Sequence, residues 1–427
     1  MTEVTWGQLA KAVDDKTTVS EEIDAKILAH NNDPSAHSQT NEALYNHRVA
    51  EILDHLDESI NNIKLKYPVR AYNAIVAQDG SGDYTDIQSA IDAVHSAGGG
   101  SILIRSGSYP QSSDITLYSN IELIGEDDED TVIDFNNTAY GIKCVGSVEN
   151  YQYNIHLSNL QIKRSRDTTY GALYFHYVQD SFITNCLFDS NKNANSTAGN
   201  DIYLDETYRL YIAHNRFQNF YDSIVSNVDD YSVFEYNYFS NGTDKCFYII
   251  GMVKGKILGN IANFGGRYFI YVEDVIEYIT ILYNYVINGN PTTCKIGGFE
   301  YSIFSHNTLL RTSGTGYGID MYSGNNSIIS NNHIEGYSYD GINAGYVNYC
   351  IFSNNVIIQN GSDGIDLTNG VRNTIIGNVT VSNSSRGIYL RSGTSNNEVI
   401  GNIAYNNTTA QIINSGTGND VAHNITT

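Results

Sequence analysis

From about residue 70 onward, apolar residues come in short runs of three to five, β-branched or aromatic, and Gly, Asn and Ser interrupt them every few positions. Ile328-Ile329, Ile357-Ile358 and Ile375-Ile376 are typical. Helical periodicity is absent from this stretch, and such runs bounded by turn residues predict short strands. The pattern also repeats. An asparagine followed by alternating apolar residues recurs at Asn159, Asn185, Asn215, Asn237, Asn260, Asn284, Asn307, Asn332, Asn355, Asn378, Asn402 and Asn424, mostly 22 to 25 residues apart. A second mark, Gly318-Ile319, Gly341-Ile342, Gly364-Ile365 and Gly387-Ile388, has a spacing of 23.

Short strands with a period of 22–24 residues describe the coils of a parallel β-helix. A leucine-rich repeat has a similar period but needs a leucine skeleton, and a propeller blade needs roughly 40 residues. Coils stack at about 4.8 Å, so equivalent side chains lie above one another. Stacked asparagines then form an amide ladder, the asparagine accommodating a left-handed corner, while stacked charges repel. The pattern continues upstream through Ser101–Ile104, Asn120–Gly125 and Thr131–Asp134. Before these, 85–96 reads as an amphipathic cap helix, with Ile87, Ile91 and Val94 on one face covering an otherwise open strand edge.

The strand at Ala74-Ile75-Val76, followed by Asp79-Gly80-Ser81-Gly82-Asp83-Tyr84-Thr85-Asp86-Ile87-Gln88-Ser89-Ala90-Ile91, resembles the opening of pectin-lyase-like right-handed β-helix proteins, especially pectin methylesterases and many phage tailspikes. The later Gly-Ile…Asn coils are similar to β-helix repeats of periplasmic copper-processing and carbohydrate-acting proteins. The resemblance covers about 70–427. It implies an all-β, right-handed parallel β-helix over 69–427, of a dozen or more coils and about 60 Å tall at ~4.8 Å per coil. It does not imply an activity, because this superfamily includes esterases, lyases, hydrolases and inert fibres. The esterase motifs Gln-Ala-Val-Ala-Leu and Asp-Phe-Ile-Phe-Gly have no counterpart here, and the calcium-binding Asp cluster of pectate lyases is not recognisable.

Residues 1–68 differ. They hold the single Trp, Trp6, and four of the 11 His. Ser20 caps a predicted helix over Glu21–His30, and Asn31-Asn32-Asp33-Pro34 ends it. A second helix is expected from Asn41 to Lys66. Val49, Ile52, Leu56 and Ile63 fall on its a and d positions, mostly β-branched, which favours a short trimeric coiled coil. The segment Ala29–Ser38 resembles a short motif common in phage tail-fibre proteins, near the part that trimerises or attaches to the virion. The expectation is therefore a helical stalk that forms a homotrimer and docks on other virion proteins.

Composition narrows the partners. Against 24 Lys+Arg stand 47 Asp+Glu, a net charge of −23, which argues against nucleic acid and anionic membranes as partners. Only 17% of residues are charged, while Asn numbers 50 and Tyr 34. No export signal or apolar span of about 18 residues is seen, so no membrane insertion is expected. The five cysteines are scattered, without metal spacing, and read as small buried thiols.

Chemistry is expected where the repeat brings carboxylates into register. The position before the glycine reads Tyr317, Asp340, Asp363, Arg386, and the position after Gly-Ile reads Asp320, Asn343, Asp366, Tyr389. Asp340 and Asp363, one coil apart, approach the ~5–5.5 Å separation of a retaining glycosidase, and Asp320 with Asp366 the inverting range. These four aspartates are the catalytic candidates. Arg386 is placed to hold an anionic sugar, and Tyr317, Tyr389, Tyr170, Tyr174 and Tyr177 are the other binding candidates. No metal and no cofactor is implied. The expected function is a virion appendage, assembled in the host cytoplasm, that presents the β-helix to a host-surface glycan or protein. The alternatives are a polysaccharide hydrolase or lyase on the same scaffold, and a non-viral cell-surface adhesin.

Overall fold

The computed structural model describes residues 72–135, 141–164, 171–190, 200–287, 292–311 and 314–426. The expected stalk, with Val49, Ile52, Leu56 and Ile63, lies outside the described residues, as does Tyr170. Residues 72–427 form one unit. It begins with the strand Ala74–Val76 and a helix, α1, over Ile87–Ser96. Among the described residues every later element is a strand. The helix starts two residues after the expected position because Asp86 keeps an extended backbone and accepts the Ser89 N–H at 2.7 Å as N-cap. Its apolar face, Ile87, Ala90, Ile91 and Val94, is buried. Among the described residues no helix is long and apolar enough to cross a membrane.

All strand–strand registers between coils are parallel. One face is a sheet of 14 strands, from Gly107–Gln111 to Ile425–Thr426, one per coil. The remaining strands form two further faces that merge into one larger sheet. The chain is therefore a solenoid of about fourteen coils, as the period requires. Side chains alternate in and out along each strand. Inward columns are filled like with like: Ile319, Ile342, Ile365 and Ile388 are in register and fully buried, and Phe188, Phe217 and Phe239 stack at 5.0 and 4.9 Å between centroids. All five cysteines are free and buried. The Gly of each Gly-Ile mark is required by close approach: a Cβ on Gly364 would lie 2.5 Å from the Gly387 carbonyl oxygen.

The asparagine ladder runs from Asn215 to Asn424. In each step the backbone N–H and the side-chain amide of one asparagine both donate to Oδ1 of the next, as from Asn332 to Asn355 at 3.1 and 2.9 Å. Two shorter ladders run beside it, Asn360–Asn383–Asn407 and Asn373–Asn397–Asn419. Two details differ from expectation. Asn159 and Asn185 are not in the ladder. They occupy an outward corner with φ near +54°, and the inward positions beside them are Leu160 and Cys186. The left-handed residue at each corner is likewise the one before the ladder asparagine, such as His214, Tyr236, Tyr283 and His306. The amide must face inward to reach its neighbours, so the strained backbone falls one position earlier.

Among the described residues, burial raises the carboxyls of several aspartates. It pushes Asp201 up to about 8, against hydrogen bonds from Ser190 and Ser223. It pushes Asp229 up to about 7, and Asp222 and Asp340 up to about 6. The folded state therefore binds more protons than the unfolded chain between about pH 4 and 8. Stability from these groups is fully present below the unfolded value and is lost as pH rises through the folded ones. Thermal unfolding of the intact protein is expected several degrees lower at pH 8 than at pH 5. An unchanged or higher midpoint at pH 8 would contradict the burial of these carboxyls.

Candidate functional site

The two outward columns expected from the repeat are present. Asp320, Asn343, Asp366 and Tyr389 are paired in successive coils. Three residues earlier on each coil, Tyr317, Asp340, Asp363 and Arg386 form the neighbouring column, tied by the bonds from the Gly318, Gly341 and Gly364 N–H groups to the Asp340, Asp363 and Arg386 carbonyls. Adjacent columns one coil apart bring three carboxylates together. Asp340, Asp363 and Asp366 each offer an oxygen, all within 4.8 Å of one another. They are 5%, 1% and 0% exposed.

Each carboxylate is held differently. Asp340 Oδ1 accepts the Asp363 N–H at 2.7 Å. Asp363 Oδ1 accepts both the backbone N–H and Nε of Arg386, at 2.8 and 3.0 Å. Asp363 Oδ2 is buried without a hydrogen-bond partner. Asp366 receives Arg391: Nε lies 2.8 Å from both its oxygens and Nη2 bonds Oδ2. Burial raises the Asp340 carboxyl to about 6, with Asp366 and Asp363 adding to the effect against the Ser362 hydroxyl and the Asp363 N–H. Its hydrogen bond and charge contact with Asp366 raise the Arg391 guanidinium above its ordinary value. The Tyr389 ring stands beside both cations, 3.7 Å from the Arg386 guanidinium carbon and 5.2 Å from that of Arg391. Tyr317 packs on Tyr339 at 5.1 Å, and burial, then Asp340 and Asp320, raise its phenol.

Other sequence candidates lie elsewhere. Asp320 is on the same column, but Asn343 intervenes and donates to it at 2.8 Å, so it does not join the three. Tyr174 belongs to the same column as Asp366, eight coils away, or about 38 Å at ~4.8 Å per coil. It packs against Tyr203 and His176. Tyr177 occupies a corner at φ 53°, stacked on His176. Both are apart from the acidic cluster. The exposed corner tyrosines are a further column: Tyr278 and Tyr301 stack at 5.2 Å and 13°, so they turn edges and hydroxyls, not ring faces, to solvent.

Two charged residues carry no signal in the repeat pattern. One is Arg391. The other is Lys245, four coils away on the column of Asp340, whose ammonium sits 3.2 Å from Asp222 and 2.7 Å from Asp244 beside the rings of Tyr248 and Tyr271. Asp340, Asp363 and Asp366 are also the group of three carboxylate, His or Cys side chains, among the described residues, that is close enough to share a metal ion. Arg386 and Arg391 already supply positive charge to Asp363 and Asp366. What the arrangement offers chemically is a carboxyl that keeps its proton up to about pH 6, a second carboxyl across from it, and two fixed guanidiniums.

A family model described as a right handed beta helix region matches residues 270–426. No curated protein matches the chain in sequence. Among solved structures, bacteriophage CBA120 tailspike protein 3 is similar over 82% of this chain and 59% of its own, at 14% identity and a TM-score of 0.58. The A-module of the Azotobacter vinelandii mannuronan C-5 epimerase AlgE6 is similar over 80% of this chain and 94% of its own, at 18% identity and a TM-score of 0.53. The Dettilon tailspike protein follows with 80% and 66%, 15% identity and a TM-score of 0.52. This chain thus spans under two thirds of the first tailspike's length. At such identities the likeness shows the fold, a right-handed parallel β-helix, and no more.

Proposed function

We propose that this chain is a tailspike-like virion appendage that recognises a host-surface glycan through the face carrying Asp340, Asp363 and Asp366. The carrying observation is the cluster itself. A chain with only 17% charged residues gathers three carboxyls and two guanidiniums at one position of its β-helix and buries the carboxyls almost completely. Burying charge is costly, and perturbed carboxyls with specific charge partners cluster at functional sites. The tailspike neighbours support the appendage, and the mannuronan epimerase supports a polysaccharide as a ligand for such a face. Residues 1–68 supply the trimer and the virion attachment in this reading.

The test uses the intact protein on a panel of immobilised capsular and O-antigen polysaccharides. At least one is expected to be retained, with affinity falling about tenfold in Tyr389→Ala, since the ring holds the Arg386 guanidinium in a cation–π contact worth on the order of 1 kcal/mol or more. Light scattering is expected at three chain masses, and mass spectrometry of purified virions is expected to find the chain. Retention of no glycan would overturn the recognition; a single chain mass would overturn the trimer.

A second reading is hydrolysis, favoured by the close approach of the carboxyls and by the proton held on Asp340. Asp340 would act as general acid and Asp363 as the second carboxyl of the pair, near the roughly 5–5.5 Å arrangement of retaining enzymes. Arg386 must then swing off Asp363, whose Oδ2 is buried.

A further inference from the structure

We propose that the free ends of Arg386 and Arg391, which share the Tyr389 ring, form a site for the carboxylate of an acidic sugar; this rests on the glycan-recognition reading above. Arg386 is fixed through its backbone N–H and Nε to one oxygen of Asp363, and its guanidinium lies against the Tyr389 ring. Its Nη1 and Nη2 have no hydrogen-bond partner among the described residues. Arg391 is fixed through Nε and Nη2 to Asp366, which leaves its Nη1 similarly free. Its side chain is 47% exposed. Two guanidiniums thus share one ring, each clamped from behind by a carboxylate, with unused donors remaining.

Clamping matters because ordering a free arginine on binding costs conformational entropy, and here that ordering is already present in the fold. A planar carboxylate matches the guanidinium fork, with two parallel N–H···O bonds. In a chain of net charge −23 the long-range field repels an anion, so these guanidiniums act at close range. Asp363 and Asp366 each stand against one of the two arginines, and ionisation of Asp340 adds a further negative charge beside them. The groups facing Asp340 are Tyr317 and Asp320 on the preceding coil, Asp363 and Asp366 on the following one, Tyr339 beside it, and Arg386 and Arg391 beyond. Carboxylates outnumber guanidiniums among them, so an incoming anion is best accepted while Asp340 is neutral. Binding is therefore expected to be tightest in mild acid and to weaken as pH rises through about 6.

The experiment measures equilibrium binding of the intact protein at pH 5.5 and 7.5. The probes are polygalacturonate, polymannuronate, a glucuronate-containing copolymer and polysialate, each beside its carboxyl-reduced form, with dextran sulfate as a further arm. At least one carboxylated polymer is expected to bind about tenfold or more tightly than its reduced form, more so at pH 5.5. The double variant Arg386→Lys/Arg391→Lys keeps the charge but loses the fork, and is expected to lose that preference while still unfolding cooperatively, at a lower thermal midpoint because Asp363 and Asp366 lose part of their clamp. Equal binding of reduced forms, equal binding of dextran sulfate, or an unchanged preference in the lysine variant would each overturn the carboxylate site. If only reduced forms bind, the site falls and glycan recognition stands. If no polymer binds here or on the capsular panel, both fall.

Discussion

Asn355→Ala is expected to destabilise the protein by about 3–5 kcal/mol, a loss far larger than the side chain's size suggests. Asn355 is fully buried in the middle of the ladder. Its Oδ1 accepts two bonds from Asn332, and its amide donates to the Ile329 carbonyl and to Asn378 Oδ1, each at 2.9–3.1 Å. Truncation leaves two buried donors on Asn332 without that acceptor, and each orphaned group costs roughly 1–3 kcal/mol, with the small cavity adding to it. Asn355→Asp is expected to be worse at neutral pH, because it turns an acceptor toward the Ile329 and Asn378 oxygens. The shift of the chemical denaturation midpoint checks both. A cost below about 1 kcal/mol for the alanine would mean that the ladder is decorative and that the stacked apolar columns alone hold the coils in register.

The second large effect concerns Asp340. On any glycan that the protein cleaves, Asp340→Asn is expected to lower turnover about 10²–10⁴-fold, the usual contribution of a general acid. The amide still accepts the Asp363 N–H, so the local backbone bond survives the change. Glycan binding is expected to persist, separating chemistry from recognition. The sign of the pH profile follows from the folded-state value near 6: the acid must be protonated, so the rate falls as pH rises above it. The same substitution removes one group whose ionisation destabilises the fold at high pH, so the variant's stability is expected to depend less on pH between 4 and 8. Turnover that survives in Asp340→Asn would remove it as the acid.

How much of this is legible in the sequence depends on where the repeat keeps its phase. The Gly-Ile mark fixes which residues stack, because the glycine is needed wherever neighbouring coils touch at that point. Asp340, Asp363, Asp366, Arg386, Tyr317 and Tyr389 are therefore readable as two columns from the 23-residue spacing alone. Lys245 is not, because its coil carries Cys246-Phe247 where the mark would be, although the register is the same. Arg391 is hidden for another reason: it lies just past the strand Arg386–Leu390, 25 residues after its partner Asp366 instead of 23. Asn159 and Asn185 mislead by one position, since a corner asparagine and a ladder asparagine look alike in sequence while one faces solvent and the other the core. Tyr174 shares the column but not the site, because like-on-like stacking spreads tyrosine along the whole rod.

The same logic separates the two uses of aromatic residues. The corner rings of Tyr278 and Tyr301 stack on one another and present their edges. Tyr389 is covered by cations instead of a second tyrosine, which ties its position to the charge cluster. The face around Asp366, like the Lys245 cluster four coils away, is where buried charge departs from the repeat's pattern.

The most direct measurement is hydrogen–deuterium exchange on the intact protein with and without the polysaccharide that the panel retains most tightly. The segments 339–343, 362–367 and 386–391 are expected to gain protection, with the corner residues 278–283 and 301–306 unchanged. Protection confined to those corners, or to coils far from Asp366, would contradict the placing of glycan recognition on this face.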